Sequence, residues 1–301
     1  MNDLRKKAGF LRAGVILAFF LFIALAVYFY KSQPAYLFLF GGIGIFSAVT
    51  EFAIAVADQK KQQLIRKVNL LSIAALLVSL ALIIGINFQY KQVFVDLYSA
   101  VVTGALIQFV IARLLLPLLF GNIFCSRVCW DGATFEFLEP SSKKKKQYLN
   151  TRTSFSLLFL ILITVASCFS IVLHNFSAPT PEQSRINFAV ANIVIIIVGI
   201  VLAKIFGSRA YCRKICPFIT VSGILAPFSF FKITPVNHHN CRKCGKCSKV
   251  CPMHIDVMKY VVENKRVSHP DCIMCEQCVS ACPTQCIMVL PPFSLQKSIG
   301  K

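Results

Sequence analysis

The chain of 301 residues is 56% hydrophobic and 15% charged, with a mean hydropathy of +0.69 and a formal net charge of +20. A soluble globular domain has about a quarter of its residues charged and fewer apolar ones, which excludes an ordinary soluble enzyme. The basic excess lies beside apolar segments, so it suits a membrane face with anionic lipid and not a nucleic acid.

Crossing a hydrocarbon core takes about 20 apolar residues of helix. Six segments qualify in chain order: Ala13 to Tyr30, Ala35 to Ala57, Val68 to Phe88, Val93 to Phe120, Thr153 to His174 and Phe188 to Phe206. Arg5, Lys6, Lys7 and Arg12 precede the first. It reads as a retained helix, because no small-residue cleavage site follows and Tyr28 and Tyr30 suit an interface. With the N-terminus inside, the inside segments hold those four cations, Lys60, Lys61, Arg66 and Lys67, then Arg127, the run Lys143 to Lys146 and Arg152, then Arg209, Arg213 and Lys214. The outside loops hold only Lys31, Lys91 and Arg185. The asymmetry predicts a multi-pass protein of a bacterial or archaeal cytoplasmic membrane with both termini cytoplasmic. Lys143 to Lys146 reads as a solvated inside loop at the headgroups. Pro217 to Phe231 is apolar but too short to span, and is expected at the inner surface or dipping in and returning.

The 14 cysteines cluster, which points to metal ligands and not to a disulfide framework. In the tail, Cys241-x2-Cys244-x2-Cys247-x3-Cys251-Pro252 returns 31 residues later as Cys272-x2-Cys275-x2-Cys278-x3-Cys282-Pro283. Three cysteines two residues apart on one loop hold three corners of a cubane, and the fourth of each run ligates the other cluster. The spacing therefore predicts two [4Fe-4S] clusters, one on Cys241, Cys244, Cys247 and Cys282 and one on Cys272, Cys275, Cys278 and Cys251. Zinc would need neither two interleaved runs nor the Cys-Pro ends. Cys286 is expected to pack beside a cluster as a small buried residue. Arg242, Lys243, Lys246 and Lys249 ring the first cluster, as a solvated surface that can also attract an acidic electron donor.

A second repeat lies in the apolar part. Cys125, Cys129 and Pro140 return 87 residues later as Cys212, Cys216 and Pro227, each pair following a helix that ends in Phe-Gly. A four-residue step places both thiols on one face of a helical turn. The neighbours Arg127, Arg213 and Lys214 are expected to lower the thiol pKa. The four cysteines are candidates for a redox relay, as a metal site, a smaller cluster or disulfides. Repeated membrane halves commonly build a site at their shared interface.

Polar groups in lipid are costly. Glu51 and Arg113 both fall at inner helix ends and are expected to pair. Asp96 lies near an outer end and Gln108 near mid-helix. No two helices carry facing histidines, and His174 stands alone, so no haem is expected. Asp131-Gly-Ala-Thr134 superficially matches a flavin-attachment sequence, but its inner-face position directly after a cysteine pair argues against that.

Six helices, two C-x3-C half-sites and a C-terminal pair of ferredoxin runs resemble the NapH/NosR-type membrane ferredoxins from about Val93 to the end. The family half-site is C-x3-C-P, often followed by Gly-Ala. Cys216-Pro217 keeps the proline and loses Gly-Ala, whereas Cys129-Trp130 loses the proline and keeps Gly132-Ala133. With no large outside domain, the chain is most similar to the NapH-like architecture. The expected fold is an all-α polytopic membrane domain of six transmembrane helices (1–236), followed by a small α+β ferredoxin-like 2[4Fe-4S] domain (237–301). The expected function is electron transfer between a cytoplasmic donor or the quinone pool and a membrane or extracytoplasmic redox partner, in the manner of a quinol dehydrogenase component. The alternative is a copper-reducing assembly factor for a respiratory metalloenzyme. Cluster sensing for regulation is a weaker third reading, since no nucleic-acid-binding element is visible.

Overall fold

The computed structural model describes residues 2–85, 88, 90–138, 152–173 and 180–292. Pro140, the run Lys143 to Lys146, His174 and the C-terminal Lys301 lie outside the described residues. Three long helices open the chain: α1 (Asn2–Lys31), α2 (Pro34–Val56) and α3 (Gln59–Ile84). Pro34 at the first position of α2 and left-handed Gly85 at the end of α3 mark boundaries by ordinary helix chemistry. Shorter pieces follow: α4 (Tyr90–Tyr98), α5 (Gly104–Phe109), a π-helical segment (Val110–Leu115), α6 (Leu116–Phe120), α7 (Phe124–Arg127) and α8 (Trp130–Leu138). Then come α9 (Arg152–Leu173), α10 (Pro181–Phe206), α11 (Ala210–Lys214) and α12 (Pro217–Leu225). A capping box of Thr180 and Gln183 starts α10.

Among the described residues, four helices are long and apolar enough to cross a membrane: Asp3–Lys31, Pro34–Val56, Gln59–Ile84 and Pro181–Phe206. Gly104–Phe120 and Ser156–Phe169 are shorter apolar helices. Only 17–33% of the most apolar window of each long helix is buried inside the protein. Side chains such as Phe22, Phe29, Phe38 and Ile83 point outward. A helix this apolar with so little of itself covered has lipid as its natural solvent.

The expected span Val93 to Phe120 is not one helix. It breaks after Tyr98, and a new helix starts behind the N-cap Thr103. The cause is Asp96, which is 1% exposed and accepts hydrogen bonds from Gln92 and from the Thr103 hydroxyl. The chain must turn there to satisfy the buried carboxylate, with Ala100 in the left-handed region. Pro217 to Phe231 does fall short of a span: α12 runs into a 3-10 turn (Ala226–Phe228) and then into strand β1.

Strand β1 (Lys232–Pro235) pairs antiparallel with β2 (Ile287–Leu290), in the register Lys232 to Leu290. Between them lie a 3-10 turn (His238–Asn240) and the one-turn helices α13 (Lys246–Lys249), α14 (Val257–Val262) and α15 (Gln277–Ser280). This lobe starts a few residues ahead of the expected position 237. Its core and that of the helical part are continuous, with Phe120 stacked on Phe231 at 5.2 Å between ring centroids.

Candidate functional site

The two C-x3-C pairs fold alike because the same backbone pattern is used twice. Each first cysteine sits in a one-turn helix, α7 or α11. Each turn stops at a residue of nearly equal conformation, Val128 (φ −135, ψ −35) and Ile215 (φ −126, ψ −35). Cys129 N–H donates to Phe124 O and Cys216 N–H to Tyr211 O, both at 3.0 Å. Cys129 and Cys216 immediately precede α8 and α12, and the Gly132 N–H donates to Cys129 Sγ at 3.5 Å. The expected single helical turn through each pair is thus interrupted. The second cysteine of each pair stands at a new helix start, where free N–H groups favour a thiolate. Gly132 is needed there, because a Cβ would come within 2.6 Å of Cys125 O.

The two pairs face one small cavity lined by Cys125, Cys129, Cys212 and Cys216 with Arg113, Asp131, Arg209, Tyr211 and Phe218. Burial raises three of the thiols, with Cys216 pushed up to about 11 and Cys129 and Cys212 well above the ordinary value. The expected lowering by Arg127, Arg213 and Lys214 does not occur. Arg127 is paired with Glu51 and Glu276, and Arg213 donates to Phe206 O at 2.7 Å and Ser208 O at 3.3 Å. The cations that do face the cavity are Arg113 and Arg209. Arg209, 2% exposed, donates to Cys125 O and Gly132 O at 3.1 Å each and to Glu136 at 2.7 Å.

The expected Glu51 and Arg113 pair is also not formed. Glu51 bonds Arg12 and Arg127. Arg113 lies instead between the rings of Phe124 and Phe218, 4.5 Å from each centroid, and donates to Cys125 Sγ at 3.6 Å.

In the tail, Cys241, Cys244, Cys247 and Cys282 line a second small cavity, with Cys286 among its walls. Cys286 is 2% exposed and 3.4 Å from Cys282 Sγ. Cys272, Cys275, Cys278 and Cys251 form the other group. Burial first, then the charges of Cys275, Cys272 and Cys251, push the Cys278 thiol up. Among the described residues no three or more His, Cys, Asp or Glu side chains close on a single metal ion. Four thiols spread around a cavity suit a multi-iron cluster better than a tetrahedral ion, so the donor set fits iron–sulfur ligation. Arg242, Lys243, Lys246 and Lys249 are all exposed around the first group.

The second run docks against the helical part through contacts that composition did not reveal. Glu276, between Cys275 and Cys278, pairs with Arg12 and Arg127 at 2.9 Å each. Burial pushes its carboxyl up, but those two guanidiniums outweigh it and hold it below the ordinary range. Glu276 has φ 59 and stands 31 residues after Gly245, φ 69. The repeat offers the signal: a glutamate holds a left-handed position that its own copy fills with glycine. Gln63 Nε2 donates to Cys275 O at 3.2 Å and Ser280 Oγ at 3.1 Å. Arg66 and Arg209 share Glu136.

Comparison with known proteins agrees with this arrangement. Residues 235–283 match the 4Fe-4S dicluster domain, and residues 102–147 and 188–234 each match a 4Fe-4S binding domain. The chain carries 4Fe-4S ferredoxin-type domains. Relatives include YccM of Escherichia coli, described as an electron transport protein, 27% identical over 58% of this chain and 53% of its own. The methylamine utilization ferredoxin-type protein MauN of Paracoccus denitrificans is 27% identical over 50% of this chain and 56% of its own. An uncharacterized protein of Methanocaldococcus jannaschii is 26% identical over 51% of this chain and 68% of its own. The chain thus spans little more than half the length of YccM and MauN. No solved structure matches it. The findings place 4Fe-4S domains in a chain whose described residues include four apolar helices suited to a membrane.

Proposed function

We propose that the chain passes electrons between a donor at the exposed face of its ferredoxin lobe, or the quinone pool, and a membrane or extracytoplasmic redox partner. The lobe and both termini lie on the cytoplasmic side of a six-span membrane part, as in the NapH-like architecture. Cys241, Cys244, Cys247 and Cys282 hold one [4Fe-4S] cluster, and Cys272, Cys275, Cys278 and Cys251 the other. Cys125, Cys129, Cys212 and Cys216 hold a third redox centre. Bound there, such clusters supply one-electron chemistry. The residues do the rest. The exposed cations around Cys244 attract an acidic partner, and buried thiols keep water away. The ion pairs of Glu276 fix the second tail group against the half-sites.

The observation that carries this reading is the shared cavity of the four half-site thiols, joined to the second ferredoxin run through Arg127 and Glu276. Replacing Cys125 or Cys212 with Ser is expected to abolish membrane electron transfer while both tail clusters remain visible by EPR. Cys244→Ser is expected to damage the first tail cluster instead. Full electron transfer in the Cys125→Ser and Cys212→Ser variants would overturn the relay.

A further inference from the structure

Arg113 stands out once every other buried arginine is placed. Arg12, Arg66, Arg127 and Arg209 each have a carboxylate within ion-pair distance. Arg113 is 3% exposed and lies in an apolar helix, and among the described residues no carboxylate comes within that distance of it. Among the described residues its Nε is buried without a hydrogen-bond partner, its one hydrogen bond goes to Cys125 Sγ, and the Asp131 carboxyl lines the same cavity but stays beyond ion-pair distance. A buried guanidinium stays charged and needs an anion nearby.

Two further observations point the same way. Arg113 sits in the π-helical segment Val110–Leu115, a rare local geometry that is frequent at functional sites. The repeat is also asymmetric at this point. The matching stretch of α10 is regular helix with Gly199 and Ile200, and a Cβ at Gly199 would meet the Phe135 ring at 2.1 Å. One copy is closed by an aromatic ring, and the other supplies a cation to a cavity that both share.

We propose that Arg113 is the fixed counter-cation of the half-site centre and raises its reduction potential. This rests on the reading of the four cysteines as a redox centre. One electron entering from a low-potential reductant such as dithionite, itself oxidised by that electron, adds one negative charge beside the guanidinium. No bond forms or breaks, and no proton moves, because the guanidinium is already fully protonated. The flanking rings of Phe124 and Phe218 hold the cation in place and keep water out, so its field is little screened. Arg113 is a positioning residue: it acts on the centre's charge and ligates nothing.

The test is an anaerobic potentiometric titration of the full chain in lipid nanodiscs, followed by EPR, for wild type, Arg113→Gln and Arg113→Lys. In Arg113→Gln the reduced-to-oxidised ratio of the half-site centre at fixed potential should fall at least tenfold, a midpoint lowered by about 59 mV for a one-electron couple. The two tail clusters should keep their midpoints. Arg113→Lys should recover part of that shift, since it keeps the charge but not the planar stacking. An unmoved midpoint in Arg113→Gln would overturn the proposal and leave the half-site centre standing. Loss of that centre from both variants with intact tail signals would also overturn it, by assigning Arg113 to packing. Absence of any third centre in wild type would instead overturn the relay reading, and this proposal with it.

Discussion

Glu276→Gln tests whether the ferredoxin lobe is latched by buried charge. In the wild type, two guanidiniums and two carboxylates close a ring: Arg12 and Arg127 each touch both Glu51 and Glu276. The side chains are 3–13% exposed, so the pairs are little screened by water. Removing one member of a buried pair costs about 3–5 kcal/mol, because the partner's charge stays buried. Both arginines keep Glu51, and glutamine keeps one acceptor oxygen, so the lower end applies, about 3 kcal/mol. That corresponds to roughly a hundredfold increase in the undocked population. Hydrogen exchange of the anaerobic protein in nanodiscs should show it as faster exchange at Met274 to Cys278 and at the inner end of α2. The exposed pair of Lys265 and Glu263, 69% and 39% exposed, is the control: Glu263→Gln should change exchange by less than about threefold. Glu276→Gly adds a sharper arm. It relieves a left-handed backbone strain of about 1 kcal/mol and still loses the latch, so it too should increase undocking. A Glu276→Gly chain that is more protected than wild type would refute the reasoning.

Four other outcomes are expected. Anaerobically purified Cys125→Ser protein should retain about eight iron and eight acid-labile sulfide from the two tail clusters alone; zinc without labile sulfide would contradict the assignment. Gly132→Ala should cost about 1–3 kcal/mol through the contact with Cys125 O and remove the half-site EPR signal while sparing the tail. Trp130→Phe loses the 2.8 Å donation to Asn192 Oδ1 and should lower stability by about 1 kcal/mol in thermal unfolding. Glu136 is driven up by burial but held below its ordinary value by Arg66 and Arg209, and Glu276 is lowered likewise. A carboxylate lowered on folding stabilises above its unfolded pKa of about 4.3 and loses that contribution as pH falls through its folded value. Thermal midpoints should therefore change little from these groups between pH 7 and 5 and fall below that, less steeply in Glu276→Gln.

The sequence carried the parts of the site that depend on spacing. Eight tail cysteines in two interleaved runs and two C-x3-C pairs at a fixed offset are local patterns, and local patterns survive without coordinates. The apolar helices were legible for the same reason. Partner choice was not. Glu51 and Arg113 lie at similar depths, and depth cannot say that α1 brings Arg12 to Glu51 while the rings of Phe124 and Phe218 take Arg113. Asp96 was visible in its apolar run, but the break after Tyr98 was not, because spacing does not show that Gln92 and the Thr103 hydroxyl close on its carboxylate. The basic neighbours of the half-site thiols misled because adjacency in a turn does not fix direction: Arg127 turns to two glutamates and Arg213 to backbone carbonyls.

The two duplications meet each other, and this explains why the second ferredoxin run faces the membrane part. The helices before the half-sites end at Gly121 (φ 65) and Gly207 (φ 84). A Cβ at Gly121 would lie 3.3 Å from Met274, and one at Gly207 would lie 3.2 Å from His254. The next residues also behave alike. Asn122 Nδ2 donates to Pro270 O at 2.7 Å, and Ser208 Oγ donates to Pro252 O at 3.3 Å. Met274 and Pro270 flank Cys272, while Pro252 and His254 follow Cys251, so both contacts fall on the group formed by Cys251, Cys272, Cys275 and Cys278. A membrane unit repeated in sequence presents two equivalent loop ends, and both of them meet the cysteine group that joins Cys251 of the first run to Cys272, Cys275 and Cys278 of the second. That group is held from both sides, while Cys244 of the other group is exposed among Arg242, Lys243, Lys246 and Lys249. The order exposed cysteine group, gripped cysteine group, half-site cavity therefore follows from joining two internal repeats.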